Sequence, residues 1–223
     1  MPDEIGEMRR YFDAMLSFAS EVLSEGSPDG GYHPVLDVIR LYGKRLQADY
    51  LMNVFKTKPS NDPFFGFFNR KKFNIFTGLT KIEWQGSIDL AKDVVLPWPW
   101  HPGRLTNAIE TIGSQRENEW KQDPKNHRIM LLLPIGLAFV GGGNHSITAG
   151  IIQSEGRISP TRPDFDYENV NAYSMAPLFD LIETDGVHYF YKKSGEVISE
   201  VGSVELAVIF EVGRRMMELG ISY

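Results

Sequence analysis

IMLLLPIGLAFVGGGNHSITAGII, residues 129–152, is the stretch on which the fold turns. An apolar run reaches Val140, breaks at Gly141-Gly142-Gly143, and restarts with helical spacing at Ile147, Ile151 and Ile152. The change from continuous apolarity to a 3.6-residue rhythm predicts a strand, a tight turn and a helix. Glycine admits φ > 0 and lets another group approach the backbone closely. Asn144 or Ser146 is the expected N-cap. The first N–H groups of a helix lack internal partners and carry the positive end of its dipole, so this turn suits a phosphate or a carboxylate. The alternative is a purely structural turn in which three glycines relieve crowding.

Working outward, Ile129–Leu133 and Leu137–Val140 read as two short strands around Pro134-Ile135-Gly136. Upstream, Ile88 to Leu96 reads as a strand ending at Pro97-Trp98-Pro99-Trp100, where alternating prolines remove backbone donors. Arg104 to Ile112 suits a helix with Leu105, Ala108, Ile109 and Ile112 on one side, and the polar stretch 113–128 a loop. Residues 4–23 form an amphipathic helix, stopped by the turn chemistry of SEGSPDGG at 24–31. A second helix is expected from Pro34 to Phe55, with proline at the first helical position, giving an N-terminal helical pair. Between 59 and 78 six phenylalanines surround Arg70, Lys71 and Lys72. Downstream, residues 157–166 read as a connector. Phe179–Glu183 and Val187–Tyr191 flank Thr184-Asp185-Gly186 as a hairpin. Lys193-Ser194-Gly195 offers another turn, and Ser203 caps a last helix reaching Leu219. The class is α+β. Three regions follow, 1–58, 59–156 and 157–223, packed as one unit.

The totals exclude several chemistries. There is no cysteine, so disulfides, thiolate zinc sites and cysteine nucleophiles are ruled out. The 23 basic residues against 29 acidic ones, net charge -6, argue against coating bulk nucleic acid, which requires a basic surface. Aromatics interleaved with bases at 64–76 fit single strands, but mutual burial of the phenylalanines beside a solvated Arg-Lys-Lys turn fits better. No apolar run has the ~20 residues a membrane-spanning helix needs. With an acidic first segment in place of a signal peptide, a cytoplasmic location is expected. Asp164, Asp166 and Glu168 lack the glycine and later glutamate of a calcium loop, so no metal site is expected.

Over residues 88–154 the order strand, proline-rich turn, helix, loop, strand pair, glycine turn and helix resembles the ParB/sulfiredoxin-like fold. Val94-Val95-Leu96-Pro97, the helix ending near Gly113, Pro134-Ile135, and Gly142-Gly143-Asn144-His145-Ser146 followed by Ala149 carry the likeness. The resemblance implies a small mixed sheet with helices and binding of nucleotide phosphates at the glycine turn, since ParB proteins hydrolyse CTP and sulfiredoxins use ATP. The chain departs from both. It lacks the sulfiredoxin cysteine, Ser146 stands where an arginine follows the histidine, and no helix-turn-helix follows.

These readings converge on a bacterial protein that binds a nucleotide or another phosphate-bearing ligand, with a nucleoside triphosphate and Mg2+ as the implied cofactor. The ligand set is Gly141, Gly142, Gly143, Asn144, His145, Ser146 and Arg104. The glycines supply backbone donors, and His145 and Ser146 supply side-chain hydrogen bonds. Arg104 acts as a guanidinium clamp in place of the missing arginine. Trp100 and His101 share the proline loop and could contact a base, with core packing as the alternative role for Trp98 and Trp100. Hydrolysis is left open, because no activated base with an acidic orienter is visible and no catalytic residue can be assigned. The rival reading is a non-catalytic module in which the glycine turn is structural. There, helix 4–23 and the phenylalanine-rich segment dock a protein partner.

Overall fold

A computed structural model describes residues 2–26, 31–56, 79–161, 168–175, 180–184, 186–191 and 195–223. The phenylalanine-rich segment, Asp164 and Asp166 of the connector, and Lys193-Ser194 lie outside these residues. The described architecture is α+β.

The centre is a five-stranded sheet in the order β1-β7-β4-β5-β3. It is built from β1 (Thr80–Ile82), β7 (Val170–Ser174), β4 (Arg128–Leu133), β5 (Leu137–Gly142) and β3 (Val95–Leu96). The β4–β5 and β1–β7 pairs are antiparallel, while β4–β7 and β3–β5 are parallel. The unbroken apolar run of 129–140 follows from this placement, because a central strand buried on both faces needs apolar side chains at every position. Ile129, Leu131, Ala138 and Val140 point into one core with Ile147, Ile158, Val170 and Ala172. Leu132, Leu137 and Phe139 point into a second core with the helices.

That second core is made by α1 (Pro2–Glu25), α2 (Val35–Leu51) and α5 (Val204–Glu218). Phe12, Met15, Ala19 and Leu23 form the buried stripe of α1, at the i, i+3, i+4 spacing of an amphipathic helix. In α5 Leu206 to Ile209 are fully buried, since this helix is enclosed rather than lying on the surface. Ser203 Oγ accepts the Leu206 N–H at 3.1 Å, the expected cap. The expected helical pair is only part of the arrangement: α1 lies chiefly against α5. Tyr42 Oη donates to the Met15 carbonyl at 2.9 Å, and Arg215 donates to Ser20 Oγ at 2.6 Å. The hairpin is β8 (Asp180–Thr184) with β9 (Val187–Tyr191), extended by β10 (Val197–Glu200) into a three-stranded sheet.

Several expectations need correction. Pro34 is the N-cap of α2 rather than its first turn, and the helix tightens into a 3-10 turn over Met52–Phe55. The single strand at 88–96 is two, β2 (Ile88–Asp89) and β3, because Asp93 folds back and its carboxylate accepts the Asp89 N–H at 2.7 Å. The connector contains β6 (Arg157–Ile158), which pairs with β2. β1, β7 and β10 were not expected. β7 lies beyond residue 156 yet is hydrogen-bonded into the central sheet beside β4, with Ile129 opposite Val170. Among the described residues no helix is long and apolar enough to cross a membrane.

Candidate functional site

The glycine turn joins β5 to α4 (Asn144–Gln153). Gly141 and Gly142 are not in the turn: they end β5, with Gly142 opposite Arg128 of β4. Gly143 alone makes the turn, at φ 76°, and is itself the N-cap, so neither Asn144 nor Ser146 caps α4. The reason for glycine here is crowding from behind. A Cβ on Gly143 would collide with the His127 ring, and one on Gly142 with the Asn126 carbonyl.

His127 is 2% exposed and organises that side of the turn. Its Nδ1 accepts the Asp123 N–H at 3.0 Å, which places the proton of a neutral ring on Nε2. Nε2 is 2.8 Å from Ser146 Oγ and donates to it, while Ser146 Oγ donates to the Gly143 carbonyl at 3.1 Å. Burial pushes the ring below the usual histidine range, against the opposing charge of Asp123, and so keeps it neutral. Trp120 stacks on the ring at 5.2 Å and 19°, and its Nε1–H donates to the Ser146 carbonyl at 2.8 Å. Ser146 is thereby committed to the scaffold. Its hydroxyl proton is spent on Gly143, so the expected Ser146–phosphate hydrogen bond is not available. His127 offers the hydroxyl a proton rather than a base, so the pair is not a nucleophilic dyad.

The open side of the turn is different. Asn144 Oδ1 accepts the Trp98 N–H at 2.7 Å, tying α4 to the proline loop. That loop runs into α3 (Pro102–Thr111), whose N-cap is His101: its Nδ1 accepts the Arg104 N–H at 3.2 Å. The His101 N–H in turn donates to His145 Nε2 at 3.3 Å. The N-termini of α3 and α4 therefore meet, and the neutral His145 ring carries its proton on Nδ1. Burial, then the neighbouring charges of Arg104 and His101, lower the pKa of this half-buried ring, against an opposing backbone hydrogen bond with His101. Trp100 stands edge-on to His101 at 5.7 Å and to His145 at 5.8 Å, with the exposed Arg104 guanidinium 5.1 Å from its ring centre. Trp98 is 2% exposed and belongs to the core, whereas Trp100 is half-buried at the site. Among the described residues nothing accepts from the N–H groups of Asn144, His145 and Ser146.

Of the seven residues expected as ligands, His145 and Arg104 share this ledge with the open N–H groups of α4. Gly142, Gly143 and the Ser146 side chain face the His127 scaffold, Asn144 spends its Oδ1 on Trp98, and Gly141 is exposed at the end of β5. Trp120, His127 and Arg128 were missed as parts of the turn. Arg128 alone had a signal, since pairing the two expected strands around Pro134-Ile135-Gly136 sets it opposite the glycines. Among the described residues no three His, Asp or Glu side chains are grouped so as to hold a metal ion.

In comparison with known proteins, residues 4–223 match a family described as a family of unknown function (DUF6710). No curated protein and no solved structure matches the chain.

Proposed function

The chain belongs to that family of unknown function, and on that premise we propose that it binds a nucleotide or another phosphate-bearing ligand where the N-termini of α3 and α4 meet. The observation that carries the reading is the His101 N–H to His145 Nε2 hydrogen bond, which draws the two helix ends together. It leaves His145 Nδ1–H as a donor beside Arg104. Two helix dipoles, the open N–H groups of α4, one imidazole N–H and one guanidinium all favour an anion. The half-buried Trp100 face, covered only by Arg104, suits a base or another planar group. The order of strand, proline turn, helix, strand pair, glycine turn and helix lends support through its likeness to the ParB/sulfiredoxin-like fold. The reading is one of binding. His145 presents a proton, not a lone pair, to the open side, so it does not serve as a general base there.

The test is a thermal-shift panel of CTP, ATP, GTP, UTP and inorganic pyrophosphate, with and without Mg2+. A ligand at 100 times its dissociation constant adds about 2.7 kcal/mol. A shift lost in both His145→Ala and Arg104→Ala supports the site. Its absence with every ligand, in a folded sample, refutes it. A second reading, docking of a protein partner, is favoured by the exposed apolar side chains of Ile5, Met8, Tyr11 and Phe18 on α1.

A further inference from the structure

A second region, separate from the glycine turn, has the character of a binding site. A cavity of about 700 Å³ lies where β1 and the residues after it meet β7 and residues 160–161. That size is in the range of small-molecule sites, roughly 300–1,000 Å³. Ile82, Val170 and Ala172 contribute its apolar surface, with Ile82 directly opposite Ala172 in the β1–β7 register. Trp84 forms an aromatic wall. Its indole is set by Gly86, whose backbone lies so close to the ring that a Cβ would collide with it. Thr161 is the rigid opposite wall, because its N–H and its hydroxyl both donate to Asn169 Oδ1, at 2.7 and 3.0 Å.

The charges are unbalanced. Lys81 is neutralised by Glu168 at 2.9 Å, whereas Glu83 has no ion-pair partner among the described residues. One lysine against two glutamates leaves the lining one negative charge in excess. The exposed carboxylate of Glu83 and the π face of Trp84 are adjacent in sequence and share the cavity. An aromatic face and a carboxylate both attract a cation, and the apolar surface takes up a hydrocarbon body. We infer that this cavity binds a small organic cation, an ammonium group carried on an apolar body, with Glu83 as counter-ion, Trp84 as aromatic wall and Ile82, Val170 and Ala172 as the apolar subsite.

Three probes with one shared body isolate the claim: phenethylammonium, 2-phenylethanol and phenylacetate, each titrated into the full chain at millimolar concentrations. The readout is the Trp84 indole N–H resonance, assigned with Trp84→Phe. The expected result is a saturable shift with the ammonium ion, binding about fivefold weaker with the alcohol, and none with the carboxylate. Glu83→Gln, an exposed substitution, is expected to weaken the ammonium probe about fivefold and leave the alcohol unchanged. Ala172→Leu, which fills the apolar subsite, is expected to abolish binding of both. No shift with the ammonium probe, equal binding of cation and anion, or an unchanged affinity in Glu83→Gln would each overturn the assignment.

Discussion

Gly143→Ala tests whether the glycine turn is crowded from behind by His127. A non-glycine residue in the left-handed region costs about 1–2 kcal/mol by itself. The new Cβ also meets the His127 ring, which has little room to retreat between Trp120 and Ser146. Displacing that ring forfeits a hydrogen bond worth about 1 kcal/mol and a stacking contact worth about 0.5–1.5 kcal/mol. The expected loss is therefore about 3–4 kcal/mol, or about 6–12 °C in Tm at roughly 2–4 °C per kcal/mol for a chain of this size. In a His127→Ala background the collision is gone, and Gly143→Ala is expected to cost only the backbone part, about 1–2 kcal/mol. Urea unfolding of the four proteins of the cycle, with equal slopes, is expected to give a coupling of about 2 kcal/mol. Additivity within about 0.5 kcal/mol would refute the steric argument and return the glycine to a role on the ligand side.

Acid should destabilise the fold through its buried histidines. His127, His145 and His188 all have pKa values lowered by burial in the folded chain, so below the unfolded value of 6.5 the unfolded state takes up protons first. Stability is then full above about pH 6.5 and falls as pH drops toward the folded values. His188 is 6% exposed, stacks on Phe12 at 4.1 Å and has no partner for Nδ1. Melting between pH 7.5 and 5 should therefore show a shallower decline in His188→Phe, and an equal decline would count against this source. Ser203→Ala removes the α5 cap and should lower stability by about 1 kcal/mol in urea unfolding. Arg104→Ala, at an exposed side chain, should change stability by less than about 0.5 kcal/mol while removing the phosphate-dependent thermal shift. A large loss of stability would make Arg104 a structural residue.

Much of the molecule was legible locally. The apolar run to Val140, the restart at Ile147, the Thr184-Asp185-Gly186 punctuation and the Ser203 cap each carry their signal within a few residues. The corresponding strands, hairpin and helices lie close to their expected bounds. The candidate site was legible in part: His145 and Arg104 do share the ledge. The place of Ser146 was not, because its hydroxyl and carbonyl are met by His127 and Trp120 from a loop that read only as polar.

What the sequence determined by itself is therefore the set of elements with a strong burial rhythm or a local cap, and the α+β class they add up to. Periodicity records which side chains must leave water, and caps act within one turn of chain. Only the tertiary structure decided that β7 enters the sheet beside β4, that residues 88–96 bend into two strands, and that α1 rests chiefly on α5. It also decided the chemistry of the turn. The bonds that govern it join residues 19, 26, 44 and 46 positions apart. Such polar partners are chosen by which segments the packed cores bring together, and no local pattern encodes that choice.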